Sequence, residues 1–322
     1  MGRVHESSVS IKPPAGDLAE LFEQYRSELT AYCYRMLASP FEAEDAVQDT
    51  FIRAWRGYER FEGRAALRSW LYRIATNVCL DMLGGRERRA RPMDLGPARE
   101  PIVENLNTLP EVTWLEPIPD PAEVAVERET IKLAFVAALQ HLPPKQRAVL
   151  ILCEVLRWKA TEVAELLETS VASVNSALQR ARATLDASDV GTTETPDSVD
   201  AELLARYVEA FEQYDMDALT SLISEDAKQS MPPFDMWLSG REDILSWWVG
   251  PGNGCRGSKV IPTVAANGSP AFAQYKPNEA GDGYEPWALQ VLEIEDGKIV
   301  EFTFFLDTER VFPLFGVPLE YA

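Results

Sequence analysis

The chain has 322 residues, 46% of them hydrophobic, which excludes a single small module and predicts two or three packed domains. Its formal charge is −20, but the imbalance is local: from Gly191 onward there are 8 basic and 23 acidic residues, against 23 and 28 before it. The acidic C-terminal part is therefore not expected to lie along nucleic-acid phosphates, whereas the nearly balanced remainder can do so. Cys33, Cys79, Cys153 and Cys255 are far apart, with no CxxC and no Cys/His cluster, so neither zinc nor a disulfide framework is indicated. No signal-peptide core and no membrane-length apolar run is visible, and a cytoplasmic protein is expected.

Met1 to Gly16 reads as a polar tail. Asp17 to Leu37 is expected as one helix with Leu18, Leu21, Phe22, Tyr25, Leu29 and Tyr32 as its apolar stripe. Two more helices follow between Ala43 and Leu83, joined by a loop. In the first, Val47, Phe51, Ala54, Trp55 and Tyr58 share a core-facing stripe. The opposite face carries Asp45, Gln48, Asp49 and Arg56, with apolar Ile52 among them, the mark of a surface that another protein covers. In the second, Leu67, Leu71, Ile74, Ala75, Val78 and Met82 are expected to be buried, which leaves Trp70, Arg73 and Asn77 along an adjoining edge. Arg86, Arg88, Arg89 and Arg91 follow Gly84-Gly85; this basic cluster suits duplex phosphates, or is a solvated helix end.

Glu44-Asp45-Ala46, Gln48-Asp49, Phe51, Trp55, Phe61-x-Gly63 and Trp70-Leu71-x-x-Ile74-Ala75-x-Asn77-x-x-x-Asp81 together resemble region 2 of the bacterial extracytoplasmic-function (ECF) sigma factors. The resemblance implies that the first helix of the pair docks on the clamp helices of RNA polymerase β′ through Asp45, Gln48, Asp49, Ile52 and Arg56. It also implies that the loop and second helix hold the melted −10 promoter element through Arg64, Trp70, Arg73, Asn77, Arg86, Arg88 and Arg89. A ring, a cation and an amide on one edge suit the stacking and capture of an unpaired base. The glycine pair departs from the family, in which the helix runs directly into its arginines.

From Pro92 to Pro121, seven prolines prevent regular structure, and the segment is acidic with Arg99 as its one cation. A bare linker explains this; in the resembling family the segment threads through polymerase near its active-site cleft. Trp114 and Leu115 are too apolar for a free linker and are expected to anchor on a surface. A long helix from Val126 to Leu142, a helix from Gln146 to Leu156 and a helix-turn-helix follow. The second helix of that motif turns Ala172, Ser173, Ser176, Gln179 and Arg180 outward, as major-groove readout requires. Leu142-Pro143-x-x-x-Arg147-x-x-x-x-Leu152, Glu162-Val163-Ala164 and Val174-Asn175-Ser176-Ala177-Leu178-x-Arg180-Ala181-Arg182 resemble ECF region 4, which implies −35 recognition and a contact with the polymerase β flap.

After a polar linker, helices are expected at Val199–Tyr214, Met216–Leu222 and Glu242–Val249. Strands are expected at Lys259–Ala265, Ala271–Tyr275, Trp287–Glu295 and Lys298–Leu306, with a hairpin turn at Asp296-Gly297. Tyr207-x-x-Ala210-Phe211, Met231-Pro232-Pro233, Trp237-x-x-Gly240-Arg241 and Phe315-Gly316-x-Pro318 resemble the cone-shaped SnoaL-like (NTF2-like) domain fused to certain ECF sigma factors. Phe234, Trp237, Trp247, Trp248, Tyr275, Trp287 and Phe304 are candidates for a pocket lining, or are simply core. Both histidines, His5 and His141, lie outside this part, so a paired acid and base is not indicated and an enzyme is not expected.

The expected architecture is multidomain: an all-α sigma region 2 domain (17–91), an acidic linker (92–125), an all-α helix-turn-helix domain (126–187) and an α+β SnoaL-like domain (198–322). The expected function is promoter-specific transcription initiation with core polymerase and promoter DNA as partners. The C-terminal domain is expected to act in cis by packing on the sigma domains or linker, with a small-ligand sensor or an enzyme as alternatives for it. A ligand-responsive helix-turn-helix regulator that acts without polymerase is the alternative for the whole. No cofactor, metal or membrane is expected, and the free protein is expected to be a monomer.

Overall fold

The structure, a computed structural model, describes residues 15–61, 66–120, 132–187 and 201–321. It opens with α1 (Ala15–Glu23), α2 (Arg26–Leu37), α3 (Pro40–Gly57) and α4 (Leu67–Met82). The single helix expected over Asp17–Leu37 is thus two, broken at Gln24-Tyr25, where the Gln24 amide donates to Leu21 O at 2.7 Å. A tight corner joins α2 to α3: Ala38 takes a left-handed φ of 59°, and Ser39 Oγ accepts the Glu42 N–H at 3.3 Å as the N-cap before Pro40. α4 stops at Met82, ahead of Gly84-Gly85.

The segment after α4 is fixed rather than free. Ala90 pairs with the backbone at Thr113 and Leu115, and short 3-10 turns cover Pro92–Asp94, Val103–Asn105 and Glu111–Thr113. Trp114 and Leu115 are buried, as their apolarity requires. The expected Val126–Leu142 helix is described only from its second half, α5 (Leu133–Gln140); 121–131 lie outside the described residues. α6 (Pro144–Leu150) runs into a π-helical turn at Ile151–Val155, and α7 (Ala160–Leu166) with α8 (Val171–Ala187) form the helix-turn-helix.

The C-terminal domain places α9 (Ala201–Gln213), α10 (Met216–Leu222) and α11 (Arg241–Val249) against a six-stranded sheet. Its strands are β1 (Ile223–Ser230), β2 (Trp237–Ser239), β3 (Lys259–Pro262), β4 (Ala271–Pro277), β5 (Tyr284–Glu295) and β6 (Lys298–Phe305), in the order β2-β1-β6-β5-β4-β3. The sheet is mixed, not purely antiparallel: β1 lies parallel to β6. The β5–β6 turn is the expected one, with Asp296 and Gly297 both at positive φ. A last helix, α12 (Thr308–Leu314), closes the outer face.

Residues 271–275 of β4 are all buried, because both faces of this sheet are covered. Phe272, Ala288, Leu292 and Phe302 face the interior of the cone. Ala273, Tyr275, Leu289 and Val291 belong instead to one contiguous apolar cluster that also contains α12 and the helical domains. The β3–β4 hairpin reaches that junction: Asn267 accepts the Ile118 N–H at 2.9 Å and donates to the Tyr34 hydroxyl at 2.8 Å.

Candidate nucleic-acid interface and the C-terminal cavity

On α3 the 3.6-residue period leaves one long face in water. Asp45, Gln48 and Arg56 are exposed and Ile52 is 42% exposed. Asp49 pairs with Arg53 at 2.8 Å, and Arg53 bridges on to Asp81 of α4 at 3.2 Å. Trp55, expected in the core stripe, is 47% exposed; α1 covers Phe51 but stops short of it. Phe22, Gln48, Phe51, Ile52, Trp55 and Arg56 border an open apolar groove of about 370 Å³. An apolar floor with a charged rim is the anatomy of a protein-docking site.

The α4 edge is built differently. Trp70 is half-buried, its ring 4.8 Å from Phe61 and 6.3 Å from Tyr58, and it lies so near Gly57 that a Cβ there would meet it at 3.3 Å. Asn77 is exposed. Arg73 is engaged by the helix-turn-helix domain, donating to Glu165 O at 3.0 Å with its guanidinium 3.6 Å from Glu168. Beside it Trp158 packs on Tyr72 with ring centroids 5.1 Å apart and planes tilted by 56°, and Arg68 lies over both rings. Arg64 lies outside the described residues.

The arginine cluster after α4 is divided: Arg86 and Arg88 are exposed, whereas Arg89 is buried. Arg86 pairs with Glu42 at 2.5 Å, and Arg88 contacts the His141 ring, whose pKa is lowered by burial and by that cation. Arg89 is 7% exposed; it donates to Trp114 O at 2.6 Å and lies 3.2 Å from Glu42 and 3.5 Å from Glu116. Burial raises the Glu116 pKa, and Arg310 completes its pairing at 3.2 Å. The expectation that Arg89 faces DNA is corrected for this arrangement: carboxylates of α3 and the interdomain segment have drawn it inward.

α8 presents the face that its sequence pattern requires. Val174 and Ala181 are buried, while Ala172, Ser173, Ser176, Gln179 and Arg180 are all exposed. Ser170 Oγ accepts the Ser173 N–H at 3.1 Å and caps the helix. The domain is held to α2 by Arg147, 3% exposed, whose guanidinium reaches Met36 O and Gln140 Oε1 and donates to Gln140 O at 3.1 Å and Leu142 O at 3.2 Å. These carbonyls end α2 and α5 and would otherwise lack donors. Burial lowers the Arg147 pKa to about 10.

The cone holds a cavity of about 320 Å³. Phe234, Trp247, Trp248, Trp287 and Phe304 line it as expected, joined by Gln229, Gln274, Lys276 and, from the interdomain segment, Val103 and Leu106. Two expected lining residues are elsewhere. Trp237 turns its indole N–H to Gly96 O at 2.8 Å, and Tyr275 faces outward, packing on Phe312 and donating to Pro318 O at 2.6 Å. Both lie one pleat out of phase with the cavity. Gln274 was missed, although an amide inside the run AFAQY is a visible signal of a polar group facing an interior space. Among the described residues no cluster of His, Cys, Asp and Glu could hold a metal, and no helix is long and apolar enough to cross a membrane.

Comparison with known proteins gives three family matches: Sigma-70 region 2 over residues 21–89, Sigma-70 region 4 over 132–185 and a SnoaL-like domain over 204–302. The ECF RNA polymerase sigma factor SigG of Mycobacterium tuberculosis H37Rv is 46% identical, the match covering 94% of this chain and 84% of that protein. SigJ of the same organism is 26% identical over 86% of this chain and 88% of its own length. The crystal structure of M. tuberculosis SigJ superposes with a TM-score of 0.63 at 21% identity, covering 94% of this chain and all of that one, so the fold is shared.

Proposed function

Because the chain belongs to the extracytoplasmic-function RNA polymerase sigma factors, whose members bind core polymerase and promoter DNA, we propose that its C-terminal domain restrains initiation in cis. On this reading the α3 face, with Ile52 and Trp55 at its centre, receives the β′ clamp helices. The α4 edge of Trp70, Arg73 and Asn77 receives the melted −10 strand, and α8 reads the −35 duplex through Ser173, Ser176, Gln179 and Arg180. One observation carries the restraint: the segment joining the two promoter-reading domains is tied to the C-terminal domain at Pro233, Asp235 and Trp237, while Arg73 is bound to Glu165 and Glu168 of the other reading domain. Two elements separated along a duplex cannot be read at once by domains that occupy each other's surfaces.

The interdomain segment supports the same reading. It is pinned to the C-terminal domain by backbone pairing with residues 233–237 and by an Arg99–Asp235 ion pair of 2.8 Å. The C-terminal domain thereby fixes how far apart the two helical domains sit. We assign it no catalytic step: the titratable groups at the cavity are Tyr214, Cys255 and Lys276. Burial raises the Tyr214 and Cys255 pKa values, and Lys276 is paired with Glu285 at 3.0 Å.

The test is binding of the full chain to core polymerase by native gel. The wild type is expected to bind, and Ile52→Glu with Trp55→Glu to weaken binding by about tenfold or more, since apolar hot-spot residues dominate such interfaces. If the double variant binds core as the wild type does, the α3 assignment fails; if the wild type does not bind, the initiation reading fails.

A further inference from the structure

We propose that the C-terminal cavity is a receptor site for a neutral, flat, mainly apolar molecule bearing a carbonyl oxygen, and that the interdomain segment forms part of its wall, so that occupancy and seating of that segment are coupled. The binding half of this proposal needs nothing from the sigma-factor reading; only its consequence for initiation rests on it.

The volume, about 320 Å³, falls at the lower end of small-molecule sites, which span about 300–1,000 Å³. The walls are indole and phenyl faces, which favour a flat occupant. Two amides set the polarity. Gln229 is 1% exposed and its Oε1 accepts the Trp248 indole N–H at 2.7 Å, so its –NH₂ is the group left to offer. Gln274 is fully buried within a one-way chain: Tyr207 donates to Gln290 at 2.8 Å, Gln290 to Gln274 at 2.9 Å and Gln274 to Ser258 at 3.0 Å. The indole, a donor only, settles which end of the Gln229 amide is oxygen. Gln274 is thus spent within the protein, and the Gln229 –NH₂ is the donor left to select an acceptor oxygen. Lys276, its ammonium 4.0 Å from the Trp287 centroid, is already paired with Glu285, which makes the cavity mouth less favourable to an anion than a lone lysine would.

The coupling follows from what closes the cavity. Val103 and Leu106 belong to the interdomain segment, not to the cone. The turn that carries them is a bight held at both ends: Arg99 N–H donates to Trp237 O at 3.0 Å, and Leu109 N–H to Pro233 O at 3.1 Å. Val103 remains 57% exposed at the rim. A molecule filling the cavity covers it, adding apolar contact only when the bight is seated. By linkage, a ligand favoured by the seated segment favours seating in return.

The experiment uses the full chain and the neutral naphthyl ketone prodan, whose emission shifts to the blue on leaving water, with no polymerase or DNA present. Saturable blue-shifted binding of one probe per chain is expected, with slower hydrogen exchange at residues 102–106 on saturation. Val103→Asp, at an exposed position, is expected to weaken binding about fivefold or more through lost apolar contact, and Val264→Asp, exposed and outside the cavity, to leave it unchanged. Absence of saturable binding overturns the site. Binding unaffected by Val103→Asp, or exchange at 102–106 unchanged by the probe, overturns the coupling. Equal weakening by both variants assigns the probe to general surface adsorption and overturns both.

Discussion

Tyr34 and Asn267, 233 positions apart in the chain, share a hydrogen bond of 2.8 Å at a junction of three parts of the molecule. The Tyr34 hydroxyl accepts from the Asn267 amide and donates to Glu116 O at 2.7 Å, so α2, the interdomain segment and the β3–β4 hairpin meet on one oxygen. Burial pushes the phenol well above its usual pKa, which keeps it a donor at every working pH. Tyr34→Phe leaves a buried N–H and a buried carbonyl without this partner, a loss of about 1–3 kcal/mol. Urea unfolding should show the loss, and limited proteolysis should cut the interdomain segment sooner. Unchanged stability together with an unchanged cleavage rate would show that the three parts do not depend on this hydroxyl.

Arg147 makes a second, separate tie. Its guanidinium serves carbonyl and amide oxygens at the ends of α2 and α5, and among the described residues no carboxylate is a hydrogen-bond acceptor to it. Arg147→Met fills similar volume but strands those carbonyls, at an expected cost of roughly 3 kcal/mol for charge-assisted bonds. Small-angle scattering should record a larger radius of gyration as the helix-turn-helix domain departs from α2. A variant as compact as the wild type would contradict this role.

Stability should also depend on pH through Glu293. Burial raises its carboxyl pKa from 4.5 to about 7, against the favourable Ser269 hydroxyl at 2.5 Å and the Lys132 charge, and in line with neighbouring Glu301 and Glu295. The folded chain therefore keeps a proton that the unfolded chain releases. This contribution is complete below pH 4.5 and is lost as pH rises through about 7, by an amount on the order of 1–3 kcal/mol. Glu293→Gln should flatten the stability profile between those values and stabilise the protein most above pH 7. A profile with the same slope in the variant would assign the pH dependence elsewhere.

The α8 face gives a prediction in salt. Arg180→Ala, if it removes one phosphate contact, should lower the magnitude of the salt slope of −35 duplex binding by about 1 and weaken all sequences alike; Gln179→Ala should relax base preference, losing about 1–3 kcal/mol of discrimination. Fluorescence anisotropy with matched and scrambled duplexes separates the two. Identical effects on both duplexes from both variants would remove Gln179 from base readout.

Much of this was legible in the sequence where one period ran long enough. α3, α4 and α8 each show four or more apolar residues at helical spacing, and the Asp296-Gly297 turn announced its hairpin. β1 was not legible: ISEDAKQS carries charge at successive positions because only Ala227, Gln229 and Ser230 in its second half are buried, and its parallel partner β6 lies about 70 residues away. Trp55 was misplaced because a helical stripe predicts one buried face but not where the covering helix stops. Arg89 was misplaced because its partners, Glu42 and Glu116, are brought to it only by the folding back of a segment that local pattern reads as linker. Trp237 and Tyr275 were candidates for the cavity by residue type, with core as the alternative, whereas the pleat decides which side of the sheet each faces.

Run-off transcription with core polymerase, comparing the full chain with one that ends at Ala187, addresses the restraint most directly. Promoter-specific transcript is expected from both, with the shorter protein giving more at limiting concentration because the interdomain segment is released from its ties at Pro233, Asp235 and Trp237. Equal yields at every concentration would contradict restraint by the C-terminal domain, and transcript from neither would contradict initiation itself.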